Sequence, residues 1–320
     1  MKKTRALTLA RQIAGLSTPW LGRIRSLVTA ALVASVAVSN MATAQPAAAL
    51  VEQNAAALSD KHAQLSSQLA SSPYGRPLYL ESAETSSMVN GNAYAILDSP
   101  FSAVSTTLKS PKRWCEVMIL HLNTKYCRAT SDTTPTVLNV NIGKKTEQDL
   151  PDTFALEFAF RLASATPGYF SAQLNSDKGP LGTSNYRIEL SAVPLTENKT
   201  FIHLRYSYGY GMAGKLAMQA YLATLGSGKV GFTQVSQGQK QSYVTGLRGA
   251  VERNTMRYYL AIDAYLASLG RPADQQFNAR LDHWFNATEQ YARQLHEVDK
   301  SSYLVMKKNE YQRQQNGLAN

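Results

Sequence analysis

The residues able to do chemistry in this 320-residue chain are few, and their spacing fits no familiar reaction. Its five histidines are His62, His121, His203, His283 and His296, and no two stand at metal-ligand spacing on one helix. Cys115 and Cys127 are the only cysteines. With His121 alone between them as a further ligand they make a poor zinc site. The pair therefore reads first as a disulfide closing a short loop, with a metal or catalytic thiol as the rival. Gly209-Tyr210-Gly211-Met212-Ala213-Gly214 matches G-x-G-x-x-G between a strand and a helix. The strand before it alternates, however, and no acid follows the next candidate strand, Val230 to Val235, until Glu252, so the ribose-binding carboxylate of a dinucleotide site is missing. Gly226-Ser227-Gly228-Lys229 lacks the first glycine of a phosphate loop, and Val230 replaces its Ser or Thr. H-E-x-x-H, G-x-S-x-G and S-x-x-K patterns do not occur. No catalytic residue, metal or cofactor is assigned.

Weaker candidates share strand faces. Glu157 and Arg161 lie together on one strand, as do Arg187 and Glu189, and both pairs read as ion pairs on a solvated surface. His203 shares a face with Arg205 and could point to solvent or to a cavity mouth. The most suggestive stripe is Tyr206, Tyr208 and Tyr210. Tyrosine offers an apolar body with a hydroxyl tip, which suits a cavity wall around an amphipathic ligand; sheet packing against a helix gives the same pattern.

These side chains need elements to position them. Val51, Ala55, Leu58, His62, Leu65 and Leu69 fit one face of a helix from Ala48 to Ala70, either a spacer or a surface helix. Pro77 to Ser82 and Asn92 to Leu97 read as strands, with Asn90-Gly91 in the loop between them. Ser99 as cap and Pro100 in the first turn start a helix to Leu108, and Ser110-Pro111 starts another carrying Trp114, Val117 and Met118. Period-two alternation then marks strands at Thr136 to Ile142, Thr153 to Leu162, Tyr169 to Asn175, Tyr186 to Ala192 and Lys199 to Tyr210. One apolar face and short turns imply an antiparallel meander covered on one side. The covering helices are expected at Met212 to Leu225 and Val244 to Leu269, and a further helix spans Asp274 to Val298. The polar tail from Tyr303 to Gln315 is expected to be exposed or disordered.

Six basic residues and no acid precede the apolar run Leu27 to Val38, and Ala42-Thr43-Ala44 then offers a signal-peptidase site, with Gln45 as the new N-terminus. Twelve apolar residues are too few for a bilayer span of roughly 20. Removing these 44 residues and their six charges from 320 residues at +11 leaves 276 at +5, with basic residues scattered rather than striped, which argues against nucleic acid as a partner. The mature protein is expected in the periplasm or secreted.

Asn92-Ala93-Tyr94-Ala95-Ile96-Leu97-Asp98-Ser99-Pro100-Phe101-Ser102-Ala103-Val104 resembles the opening strand and first helix of the START-like (SRPBCC, polyketide-cyclase-like) superfamily, and Trp114 stands where those domains often place an aromatic. The resemblance covers Pro77 to Leu269 and is one of layout. It implies an α+β helix-grip fold, a curved antiparallel sheet wrapped on a long helix at Val244 to Leu269, here with N- and C-terminal helical extensions. The expected divisions are a leader over 1–44, a helical or flexible segment over 45–75, the helix-grip domain over 76–270 and a C-terminal extension over 271–320. The implied function is binding or transport of a lipid or other hydrophobic small molecule, with Leu156, Phe158, Tyr206, Tyr208, Tyr258 and Tyr265 as wall residues. Two alternatives stand beside it: an enzyme using the same cavity with His203, Arg205 or Glu157, and an envelope interaction module. Transient membrane contact and a protein partner on the C-terminal helices stay open.

Overall fold

A computed structural model describes residues 47–130, 135–224, 228–237 and 240–317. The expected leader, and Gly226-Ser227 of the rejected phosphate loop, lie outside the described residues. The helices are α1 (Ala47–Gln64), α2 (Ser66–Ala70), α3 (Phe101–Leu108), α4 (Pro111–Met118), α5 (Met212–Thr224), α6 (Gly246–Ala267), α7 (Ala273–Glu289), α8 (Ala292–Leu295) and α9 (Lys300–Gln315). The large sheet contains β1 (Leu78–Glu84), β2 (Met88–Leu97), β3 (Thr124–Thr130), β4 (Val137–Ile142), β5 (Phe154–Ala165), β6 (Phe170–Lys178), β7 (Thr183–Thr196) and β8 (Lys199–Tyr210). A hairpin of β9 (Gln234–Gln237) and β10 (Lys240–Tyr243) stands apart.

The sheet order is β1-β2-β8-β7-β6-β5-β4-β3, antiparallel throughout. Strands β3 to β8 form the expected meander, and α3 and α4 carry the chain from β2 to the far edge. The 22-residue α6 lies along β1, β2 and β8, while α3 reaches β7 and β8, and α4 and α9 close on β3. This is a helix-grip α+β fold. Inward residues such as Leu138, Val140, Leu156, Phe158, Leu174, Ile188 and Leu204 join Val251, Leu260 and Ile262 of α6 in one core.

Several elements differ from the sequence expectation, each for a physical reason. Asn90 and Gly91 are not a turn but part of β2, which begins at Met88. Glycine is needed there because α6 presses on the strand: a Cβ on Gly91 would overlap Thr255 Oγ1 and come 3.4 Å from the Val251 carbonyl oxygen. Ser99 does not cap α3; Pro100 occupies that position, and the Ser99 carbonyl accepts a bond from Thr200 Oγ1 at 2.7 Å. Helix α5 covers the core only in part: Met218 and Leu222 pack against it, whereas Met212 is 84% and Leu216 64% exposed. The sheet is covered on both faces. α1 and α2 lay Leu58, Leu65 and Leu69 over Tyr94, Tyr169, Val193 and Phe201 in a second apolar cluster.

The polar tail is neither exposed nor disordered. Helix α9 buries Tyr303, Met306, Lys307 and Glu310 against β3 and α7. Its charges are admitted because they are paired: Glu310 takes Lys125 Nζ at 3.0 Å on one oxygen and Lys307 Nζ at 2.6 Å on the other. The ammonium groups also donate to backbone, Lys125 to Leu122 and Thr146, Lys307 to His121 and Thr124. Asp299 caps the helix through Ser302 N–H at 2.9 Å.

Candidate functional site

Alternation along β8 sends Tyr206, Tyr208 and Tyr210 to the inner face, where Tyr186 of β7 joins them. Tyr186 stacks on Tyr208 with ring centres 5.2 Å apart, and Tyr206 meets Tyr258 of α6 at 5.4 Å. Tyr258 in turn lies 4.9 Å from the ring of His121, which comes from the loop between α4 and β3. A chain of rings thus crosses the interior from β7 and β8, over α6, to the far edge of the grip. Asn254, one helical turn before Tyr258, sits beside both His121 and the Tyr206 hydroxyl.

Burial keeps this bridge uncharged. It holds the Tyr206 and Tyr258 hydroxyls well above the usual phenol range and pushes Tyr186 up to about 12. The His121 imidazole is held well below its ordinary value by burial first, then by Arg257, Lys307 and Lys145. Its Nδ1 accepts the Asn123 backbone N–H at 3.1 Å, so the neutral ring carries its proton on Nε2. The Asn254 amide is the neighbour of that buried Nε2–H but stands short of good hydrogen-bonding geometry. A buried donor left without a full partner carries part of a cost of about 1–3 kcal/mol.

The six wall residues expected from sequence fall into three places. Leu156 and Phe158 are buried on the inner face of β5, across the interior from α6. Tyr206, Tyr208 and Tyr258 belong to the bridge. Tyr265 lies about two turns further along α6, under the Arg280 guanidinium at 4.1 Å, and Arg280 is itself tied to Glu116 of α4 at 2.8 Å. His121 was seen in the sequence only as a spare metal ligand, because nothing in a loop residue's spacing tells which way it folds. Asn254 carried a signal, a polar amide on the apolar face of α6.

The residues proposed for catalysis are not in this interior. Glu157 is exposed on β5. His203 and Arg205 are on the outer face of β8, where His203 stacks on Tyr94 at 4.3 Å and its Nε2 bonds Asn92 Oδ1 at 2.9 Å. Burial, Arg205 and Lys61 bring His203 down to about 4. Arg187 and Glu189, read as one pair, separate: Arg187 meets Asp177 and Glu189 meets Arg205, each at 3.4 Å. Cys115 and Cys127 form a disulfide between α4 and β3. Among the described residues no cluster of three His, Cys, Asp or Glu could hold a metal ion, and no helix is long and apolar enough to cross a membrane.

No protein-family model matches the chain, and no curated protein matches it in sequence. Solved structures similar to it include truncated norcoclaurine synthase from Thalictrum flavum, at 12% identity and TM-score 0.32 over 45% of this chain and 91% of that one. Another is the Zhui aromatase/cyclase from Streptomyces sp. R1128, at 9% identity and TM-score 0.30 over 67% of this chain and 96% of that one. A third is human StAR-related lipid transfer protein 5, at 10% identity and TM-score 0.29 over 76% of this chain and 98% of that one.

Proposed function

We infer that this is an exported binding protein for a lipid or other amphipathic small molecule, taken up between the inner sheet face and α6 after a leader is cleaved near Ala44. The observation that carries the reading is the enclosed His121 Nε2–H donor, which has only the Asn254 amide beside it, short of good hydrogen-bonding geometry, at the end of the buried tyrosine bridge. A ligand carbonyl or hydroxyl would satisfy that donor, and its hydrocarbon part would lie against Leu156 and Phe158, which gain only from apolar contact. Glu157, His203 and Arg205 lie outside this interior, so an enzyme built on those three would need another site.

The test is organic extraction of the purified protein followed by mass spectrometry, with displacement of an environment-sensitive apolar dye as a second readout. An amphipathic molecule should be recovered, and His121→Phe should weaken dye or ligand binding by roughly tenfold, the value of one hydrogen bond to a buried donor. Protein that yields nothing on extraction and binds no apolar dye would sink the proposal.

A further inference from the structure

On the outer face of the sheet, beside α1, the registers bring six polar side chains from six strands into one row. In sheet order they are Glu81, Asn92, Arg205, Glu189, Gln173 and Arg161. The row repeats one pattern twice: acid, amide, guanidine, then acid, amide, guanidine. Neighbouring strands are about 4.8 Å apart, so the groups recur at that interval across the sheet. Its formal charge is zero, two carboxylates against two guanidinium groups. Arg205 and Glu189 already meet at 3.4 Å, and Arg161 has no ion-pair partner among the described residues.

The adjacent row is one of hydroxyls. Ser164, Ser171 and Ser191 stand in register with His203. The Asn92 amide donates to Asn90 and accepts from His203 Nε2, which leaves His203 Nδ1 as a bare acceptor. A hollow of about 470 Å³ lies over the Arg205, Glu189, Gln173 and Arg161 part of the row and over the hydroxyl row beside it. Leu50, Val51 and Asn54 of α1 form its side wall, and Tyr169 borders its floor.

We propose that this groove is a second binding site, separate from the interior, for a neutral linear glycan lying across the strands. Sugar hydroxyls both donate and accept, so they match a row in which donors and acceptors alternate. Their C–H faces need apolar contact, which Leu50, 46% exposed, and Val51 provide on the side wall. A lipid chain would desolvate this polar floor without repaying it. An anion would have to compete with Glu189 for Arg205.

Calorimetric titration of the protein with chitotetraose, cellotetraose and maltotetraose tests the proposal. At least one should bind with a Kd below about 1 mM. Because the row is neutral, the Kd should change less than about twofold between about 50 mM and about 500 mM NaCl. Gln173→Ala, and separately Arg161→Ala at an exposed position, should weaken binding about tenfold with unchanged thermal unfolding. Tyr206→Phe, in the interior, should leave it unaffected, so failure here is distinguishable from failure of the interior reading. The proposal is overturned if no probe binds at about 10 mM, if both variants bind as the wild type does, or if salt abolishes binding.

Discussion

Replacing Glu310 by Gln tests whether the charged tail is held as the structure shows. The substitution keeps the size of the side chain and removes the charge that Lys125 and Lys307 share, both fully buried. Removing one member of a buried ion pair costs about 3–5 kcal/mol, because the remaining charge is left in a poor solvent. Here the four backbone carbonyls that also accept from the two ammonium groups soften the loss, so the lower end, about 3 kcal/mol, is expected. For a protein of this size that is about 6–10 °C in Tm. The pH dependence has a definite sign. Burial brings Lys307 down to about 8, with Lys125 pushing the same way and Glu310 opposing. Its folded pKa is thus below its unfolded value near 10.4, so stability rises with pH once Lys307 begins to lose its proton in the native state. Without Glu310 that release starts at lower pH. The stability gap between wild type and variant is therefore widest near pH 6 and narrows up to about pH 8. Urea denaturation at three pH values measures it. A gap under about 1 kcal/mol that does not vary with pH would refute the clamp and return the tail to the exposed state its composition implies.

Other perturbations report on other parts of the molecule. Acidification should destabilise the protein: His203, held near 4 against an unfolded value of about 6.5, contributes stability that is complete above pH 6.5 and lost as pH falls towards 4, roughly 2–3 kcal/mol in denaturation experiments, with His121 acting in the same direction. His203→Gln should flatten that slope. Gly91→Ala should cost about 1–3 kcal/mol by overpacking against Thr255, and the double variant with Thr255→Ala should recover most of it, since the closest remaining atoms are 3.4 Å away; a thermal melt of both decides. Reducing Cys115–Cys127 should cost about 3 kcal/mol, the loop entropy of a 12-residue separation, read as a lower urea midpoint in reductant.

The strands were legible because one face of each is apolar, and period-two alternation survives any strand order. The inner cover, α6, was legible too, from apolar residues at three-to-four spacing between Val244 and Leu269; the outer cover was not. Val51, Leu58, Leu65 and Leu69 gave α1 an apolar stripe, but the surface it seals, Tyr94, Val193 and Phe201, alternates with the inner face and read as solvated. Helix α5 shows the converse, since apolar Met212 and Leu216 on a helical pattern look like core and are exposed. For α9 the difficulty is electrostatic: Lys307 and Glu310 are surface residues by type, and only the distant Lys125 turns them into an interior pair. Asn90-Gly91 is a turn by local preference, overridden by the approach of α6.

The same reasoning locates what each functional surface owes to sequence and to topology. The inner tyrosines lie on one strand at positions 206, 208 and 210, so local alternation reveals them. The outer row has residues at 81, 92, 205, 189, 173 and 161, and only the placement of β8 between β2 and β7 joins its two halves. A one-residue slip of β8 would send Arg205 inward and Tyr206 outward, costing the interior its bridge and the row its centre together. The two surfaces therefore hold each other's register: any substitution that disturbs one without shifting β8 should leave the other intact, and this is why Gln173→Ala and Tyr206→Phe can be read independently.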